Sequence, residues 1–186
     1  MKFLIVLISI ITLPLFSADK IEYHLSLEVI GKSNSKKMQL NNGTVYLLYE
    51  NSGGYTDNFG NYGNSHCYGK IKTKEDVALN FKIICETVDQ NGNKFWGEFT
   101  RSETEMAAGV GTAIIVDGTG IYKNLINTKC VFSTRYLDRS YFSLSKCKLT
   151  KTVFDKLKKW SHIKKKYLSL TILILFSTCN LFYKVI

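Results

Sequence analysis

The strongest constraint on what this chain can fold into is a period of two. In residues 21–29, IEYHLSLEV, the apolar Ile21, Tyr23, Leu25, Leu27 and Val29 alternate with Glu22, His24, Ser26 and Glu28. Such alternation sets all the apolar side chains on one face of an extended strand and the polar ones on the other. Residues 77–85 repeat it, with Val77, Leu79, Phe81, Ile83 and Cys85 on one face and Ala78, Asn80, Lys82 and Ile84 between them. Further extended stretches are TVYLLYE (44–50), KFWGEFTRS (94–102), GTAIIV (111–116), TKCVFSTRYL (128–137) and SYFSLSKCKL (140–149).

These strands are short and closely spaced, and no long amphipathic helix separates them. That pattern predicts an all-β fold of about eight antiparallel strands closed into a barrel, which also removes exposed sheet edges. The clearest hairpin turns at Asp89-Gln90-Asn91-Gly92-Asn93, because an Asn-Gly pair tolerates the positive φ that a tight turn needs. Residues 31–43 are polar and rich in Gly and Asn, residues 51–65 read as a long loop crowded with the same two types, and residues 103–109 read as a short helix or loop.

The two ends of the chain are different in kind. Lys2, the apolar run Phe3 to Phe16 and the small residues Ser17-Ala18 have the layout of a secretory signal peptide over 1–18, an uncleaved anchor being the alternative. The barrel domain then occupies 19–150. Residues 151–166 form a basic segment in which Val153, Leu157 and Trp160 follow helical spacing. Residues 167–186 form an apolar tail with one charge, Lys184, long enough to span a bilayer. If the domain is exported, Lys164, Lys165 and Lys166 stand outside, against the positive-inside preference; the tail is either an anchor that breaks the rule or a fused end.

The formal charge of +10 suggests nucleic acid until its distribution is considered. Residues 19–150 hold 16 Lys/Arg against 14 Asp/Glu, a net of +2, while 151–166 hold 7 Lys against one Asp, a net of +6. No nucleic-acid partner is expected; the basic segment, with the tail behind it, points instead to an anionic membrane as a partner for 151–186.

Cys67, Cys85, Cys130 and Cys147 lie in the domain and Cys179 in the tail. An even set in an exported domain suggests disulfides, with three connectivities open to four thiols and buried free thiols as the alternative. Hairpin register prefers one connectivity. Cys67 and Cys85 straddle Asp76, and Cys130 and Cys147 are equidistant from the point between Asp138 and Arg139, so each pair faces itself across a hairpin.

Cys85, then Asp89, Gly92 and Asn93, then Gly118, Thr119, Gly120 and Tyr122 form a pattern that resembles small exported barrels of the allene oxide cyclase-like type, similar to calycins in architecture. The resemblance spans about a quarter of the chain, the stretch from Cys85 to Val131. The chain departs from the pattern after Tyr122, where Asn124 and Asn127 stand in place of further glycines. The resemblance implies a barrel and, in the plant enzymes, cyclase chemistry on an apolar ligand.

No catalytic constellation, metal-ligand cluster or cofactor motif stands out. Gly118-Thr119-Gly120 is not followed by a helix that would cradle phosphate. His24, His66 and His162 form no ligand pair within one element, and the neighbours His66 and Cys67 point to opposite strand faces. Glu86, Asp89, Glu98 and Glu103 read as solvated rather than convergent. Phe95, Trp96 and Phe99 are the candidates for lining an interior cavity, with a small apolar ligand as partner, although such aromatics more often fill a barrel. Asn42-Gly43-Thr44 fits a glycosylation sequon. The expectation is an exported binding or structural barrel, periplasmic or secreted; the alternatives are an isomerase or cyclase acting inside the barrel and a membrane-associated protein acting through its tail.

Overall fold

The computed structural model describes residues 22–101 and 104–160. The signal segment, Glu103, His162, Cys179 and the apolar tail lie outside the described residues. The strands are β1 (His24–Gln39), β2 (Val45–Asp57), β3 (Tyr62–Lys74), β4 (Val77–Asp89), β5 (Lys94–Arg101), the two-residue β6 (Thr104–Glu105), β7 (Ala108–Gly118), β8 (Lys129–Leu137) and β9 (Ser140–Lys148). All pair antiparallel. Each long strand bonds its neighbour in sequence, and β9 returns to pair with β1 from His24↔Lys148 to Lys32↔Ser140. The result is an up-and-down barrel of eight strands, as the period of two predicts, with β6 an appendage on β4.

The inner face carries the expected residues of β1, with Leu25 and Leu27 buried and Val29 half-buried. On β4 the expectation needs one correction. A register shift between Lys72 and Thr73 of β3 leaves Leu79 without a partner, so Leu79 turns outward at 40% exposure and Ala78 takes the inner place at 0%. A bulge reverses parity for every residue beyond it, which simple alternation does not anticipate.

Two stretches expected as irregular are strand. β1 continues through the polar 33–39 because β2 still pairs with it there, to Gln39↔Val45, although β9 has already ended. Most of 51–65 also belongs to β2 and β3, joined by a tight turn at Asp57-Asn58-Phe59-Gly60-Asn61. Glycines there serve close packing as well as turning: a Cβ on Gly31 would lie 2.1 Å from the Ser52 carbonyl oxygen, opposite Gly53. Residues 104–107 form the short β6 and a bend rather than a helix.

Both cysteine pairs are disulfides, Cys67–Cys85 and Cys130–Cys147, joining directly opposed residues on β3/β4 and β8/β9. All four sulfurs point into the barrel. Two intramolecular disulfides indicate an oxidising environment.

One end of the barrel is stoppered. A 3-10 turn (Gly120–Leu125) places Tyr122 and Leu125 in the core at 1% and 0% exposure. A helix over 151–160, α1, begins at Thr150, whose hydroxyl accepts from Val153 N. Its stripe of Val153, Phe154 and Leu157 packs on the core, and Phe154 meets Tyr23 and Phe59 with ring centroids 5.3 and 5.2 Å apart. The helical spacing seen in the sequence is thus spent on the barrel itself. Among the described residues no helix is long and apolar enough to cross a membrane.

Candidate functional site

The turns at the stoppered end are built alike. Asp57 Oδ1 accepts from the backbone N–H of Phe59 and Asn61, and Asp89 Oδ1 from that of Asn91 and Asn93, all within 2.8–2.9 Å. Gly60 and Gly92 supply the positive φ, 79° and 78°. Desolvation pushes the Asp89 carboxyl up, but the donors of Asn91 and Asn93 outweigh it and hold it below the usual carboxylate range. Thr119 locks the next connection: its Oγ1 accepts from Lys94 N at 2.7 Å, and its own N–H donates to the Lys94 carbonyl. Tyr55 and Tyr122 hydroxyls meet at 3.3 Å beneath.

Above them lies a chamber of about 50 Å³, lined by inward residues of β1 to β5, β8 and β9. Leu27, Phe81, Ile83, Phe95, Phe99 and Phe132 form its apolar wall. Its polar wall contains Asn51, Ser65, Thr87, Thr134 and Ser143, together with Tyr136 and Tyr141. Some of these groups satisfy one another, Thr87 Oγ1 donating to Ser65 Oγ at 3.3 Å and Thr134 pairing with Ser143 at 3.2 Å. Others do not: Asn51 Oδ1 and Tyr141 Oη are buried with no partner.

Of the aromatic residues expected to line a cavity, Phe95 and Phe99 do so. Trp96 lies between them on the opposite face of β5, half-buried outside the barrel, with Lys94 Nζ 6.0 Å from its ring centroid. Period-two geometry allows no other outcome for adjacent strand residues. Among the described residues the carboxylates do not converge. Glu86 faces outward and pairs with Lys94 at 3.2 Å, Glu98 borders an outer groove, and Asp89 caps its turn. His66 is exposed outside the barrel while Cys67 is locked in its disulfide inside, and no metal-holding cluster of His, Cys, Asp or Glu exists among the described residues.

No protein-family model, curated protein or solved structure matches this chain. Arg101 is the residue that the sequence analysis overlooked. It ends β5, inward by the same parity as Phe95, Gly97 and Phe99, and is 5% exposed. Counting by twos from Phe95 to the end of that strand would have found it.

The Arg101 guanidinium lies 4.8 Å from the ring centroid of Phe81, one of the chamber walls. Nη2 donates to the Met106 carbonyl at 3.1 Å, whereas Nε and Nη1 have no acceptor. Tyr49 and Tyr136 are the groups whose charge state it feels, and their hydroxyls meet at 2.8 Å with Asn51 Nδ2 donating to Tyr49 Oη at 3.0 Å. Burial pushes the phenols of Tyr49, Tyr136 and Tyr141 upward, so they stay neutral at ordinary pH and provide no negative charge. Burial likewise pushes Arg101 down, yet a guanidinium remains protonated in proteins.

Proposed function

We propose that this protein is an exported binding barrel that holds a small solute inside its wall. The observation that carries this reading is a single chamber whose wall includes Asn51 and Tyr141, each with a buried polar atom that has no partner, with the unpaired guanidinium of Arg101 stacked on the chamber-wall residue Phe81. A buried donor or acceptor left unpaired costs about 1–3 kcal/mol, and native proteins carry few of them. A bound solute supplies the missing partners.

The chamber's volume sets the size of that solute. A water needs about 10–15 Å³ on this measure, so 50 Å³ suits three or four waters or a solute of about five heavy atoms. Substrate pockets for drug-sized ligands run to several hundred Å³, which favours binding of a small solute over cyclase or isomerase chemistry on a large apolar one. Kinship with allene oxide cyclase-like barrels forms part of the proposal. It is supported by the meeting of its two motif fragments, where Gly120 passes so close to Asn93 that an added Cβ would lie 2.2 Å from Oδ1. Export is supported by the two disulfides and by the layout of residues 1–18, and intact mass of the secreted protein should begin at Asp19.

Propionamide, with five heavy atoms, is a suitable probe in titration calorimetry of the full chain. Saturable binding is expected, and Ser145→Leu, which fills the chamber from β9, should abolish it while leaving the disulfides intact. A wild-type protein that binds neither propionamide nor its acid, with Ser145→Leu simply more stable, would identify the barrel as a solid structural element instead.

A further inference from the structure

Arg101 carries the only cationic side chain buried in the core among the described residues. Buried cations are ordinarily paired with a carboxylate, because an isolated charge in a low-dielectric interior costs several kcal/mol. Here the pairing is missing. The Nε–H and both N–H groups of Nη1 point to no acceptor, and the groups acting electrostatically on the guanidinium are the two phenols Tyr136 and Tyr49. Neither is a counter-ion, since both stay protonated.

We infer that Arg101 is the anion-binding group of this barrel and that its ligand is a small monocarboxylate whose short apolar tail occupies the chamber. This rests on the binding-barrel reading and adds the ligand's charge and class. A single buried cation with no second positive group in the core matches a single negative charge, which argues against phosphate or sulfate dianions. The tail is specified by what adjoins the arginine. Phe81 carries the guanidinium over its ring and is itself a chamber-wall residue, continuous with Phe99 and Phe132 at centroid separations of 6.4 Å (Phe81 to Phe132) and 5.1 Å (Phe99 to Phe132). Tyr141 Oη, which has no partner, remains available to a carboxylate oxygen.

Propionate and propionamide have the same heavy-atom count and nearly the same shape, and differ in charge. In calorimetry at constant ionic strength, set with sodium chloride, propionate should bind the full chain at least about tenfold more tightly than propionamide. Arg101→Met should erase that preference, weakening propionate far more than propionamide so that the two probes bind alike. Arg101→Lys, which keeps the charge but not the planar fork, should retain part of it. Equal binding of the two probes by the wild-type chain would overturn the inference and leave the binding barrel standing. So would a preference for propionate that survives Arg101→Met, or one that an equal concentration of nitrate cancels. Binding of neither probe would overturn both. Far-ultraviolet dichroism and the free-thiol count of each variant show whether it has folded with both disulfides formed.

Discussion

The two ends of this barrel are made by the same strands and obey opposite rules. At the stoppered end, Asp57 and Asp89 each receive two backbone N–H bonds, Thr119 ties two connections together, and Leu125, Tyr122 and Leu157 fill the interior. At the far end, Arg101, Tyr141 and Asn51 are just as thoroughly buried, yet each has a polar atom with no partner. A fully satisfied region maximises stability. A region that keeps unsatisfied groups gives stability up, and the usual return is a site where those groups meet something else.

Stability measurements in denaturant can break this contrast or sharpen it. The largest effect should come from the stopper: Leu125→Ala is expected to cost about 3–4 kcal/mol, since a fully buried leucine leaves a cavity that the surrounding strands cannot close. A loss under about 1 kcal/mol would mean that this end is not the stable one.

Next is the turn. Asp89→Ala should cost about 2 kcal/mol at neutral pH through loss of its charge-assisted hydrogen bonds. Because the folded carboxyl lies below its usual value, its contribution is complete above the unfolded pKa of about 4 and disappears as pH falls through the folded value. The gap between wild type and Asp89→Ala should therefore narrow below about pH 4, and a gap that widens on acidification would contradict the assignment.

Arg101→Met should move the other way, raising the stability of the empty protein by about 1 kcal/mol or more, as replacement of buried charge by a matched apolar side chain commonly does. Destabilisation of similar size would indicate that Arg101 is structural. The smallest effects separate two tyrosines with the same burial. Tyr122→Phe should cost about 1 kcal/mol by breaking its bond to Tyr55, whereas Tyr141→Phe should stabilise the empty protein by up to about 1 kcal/mol, because its hydroxyl has no partner to lose and its desolvation is no longer uncompensated.

How far the site was legible follows from parity. Phe95, Trp96 and Phe99 stand out together in the sequence as aromatic candidates for the lining; the alternation of β5 keeps Phe95 and Phe99 inside, puts Trp96 outside and turns Arg101 inward. The Asp57 turn repeats the Asp89 turn residue for residue in its Asp, Gly and Asn positions, but a surrounding excess of Gly and Asn disguised it as loop. Asn51 and Tyr141 carry no sequence signal at all, because a missing hydrogen-bond partner is a property of neighbours in space.

Sequence by itself determined the antiparallel all-β class, the hairpin partners of all four domain cysteines and the helical stripe after Thr150. Each of these depends on spacing along one strand, one hairpin or one helix, where the geometry of the chain is fixed by period. Tertiary structure alone decided that β9 closes on β1, that a bulge turns Leu79 outward, and that α1 stoppers the barrel. It also decided that Arg101 is left without a counter-charge, because the fields and acceptors around a buried group come from strands far apart in sequence.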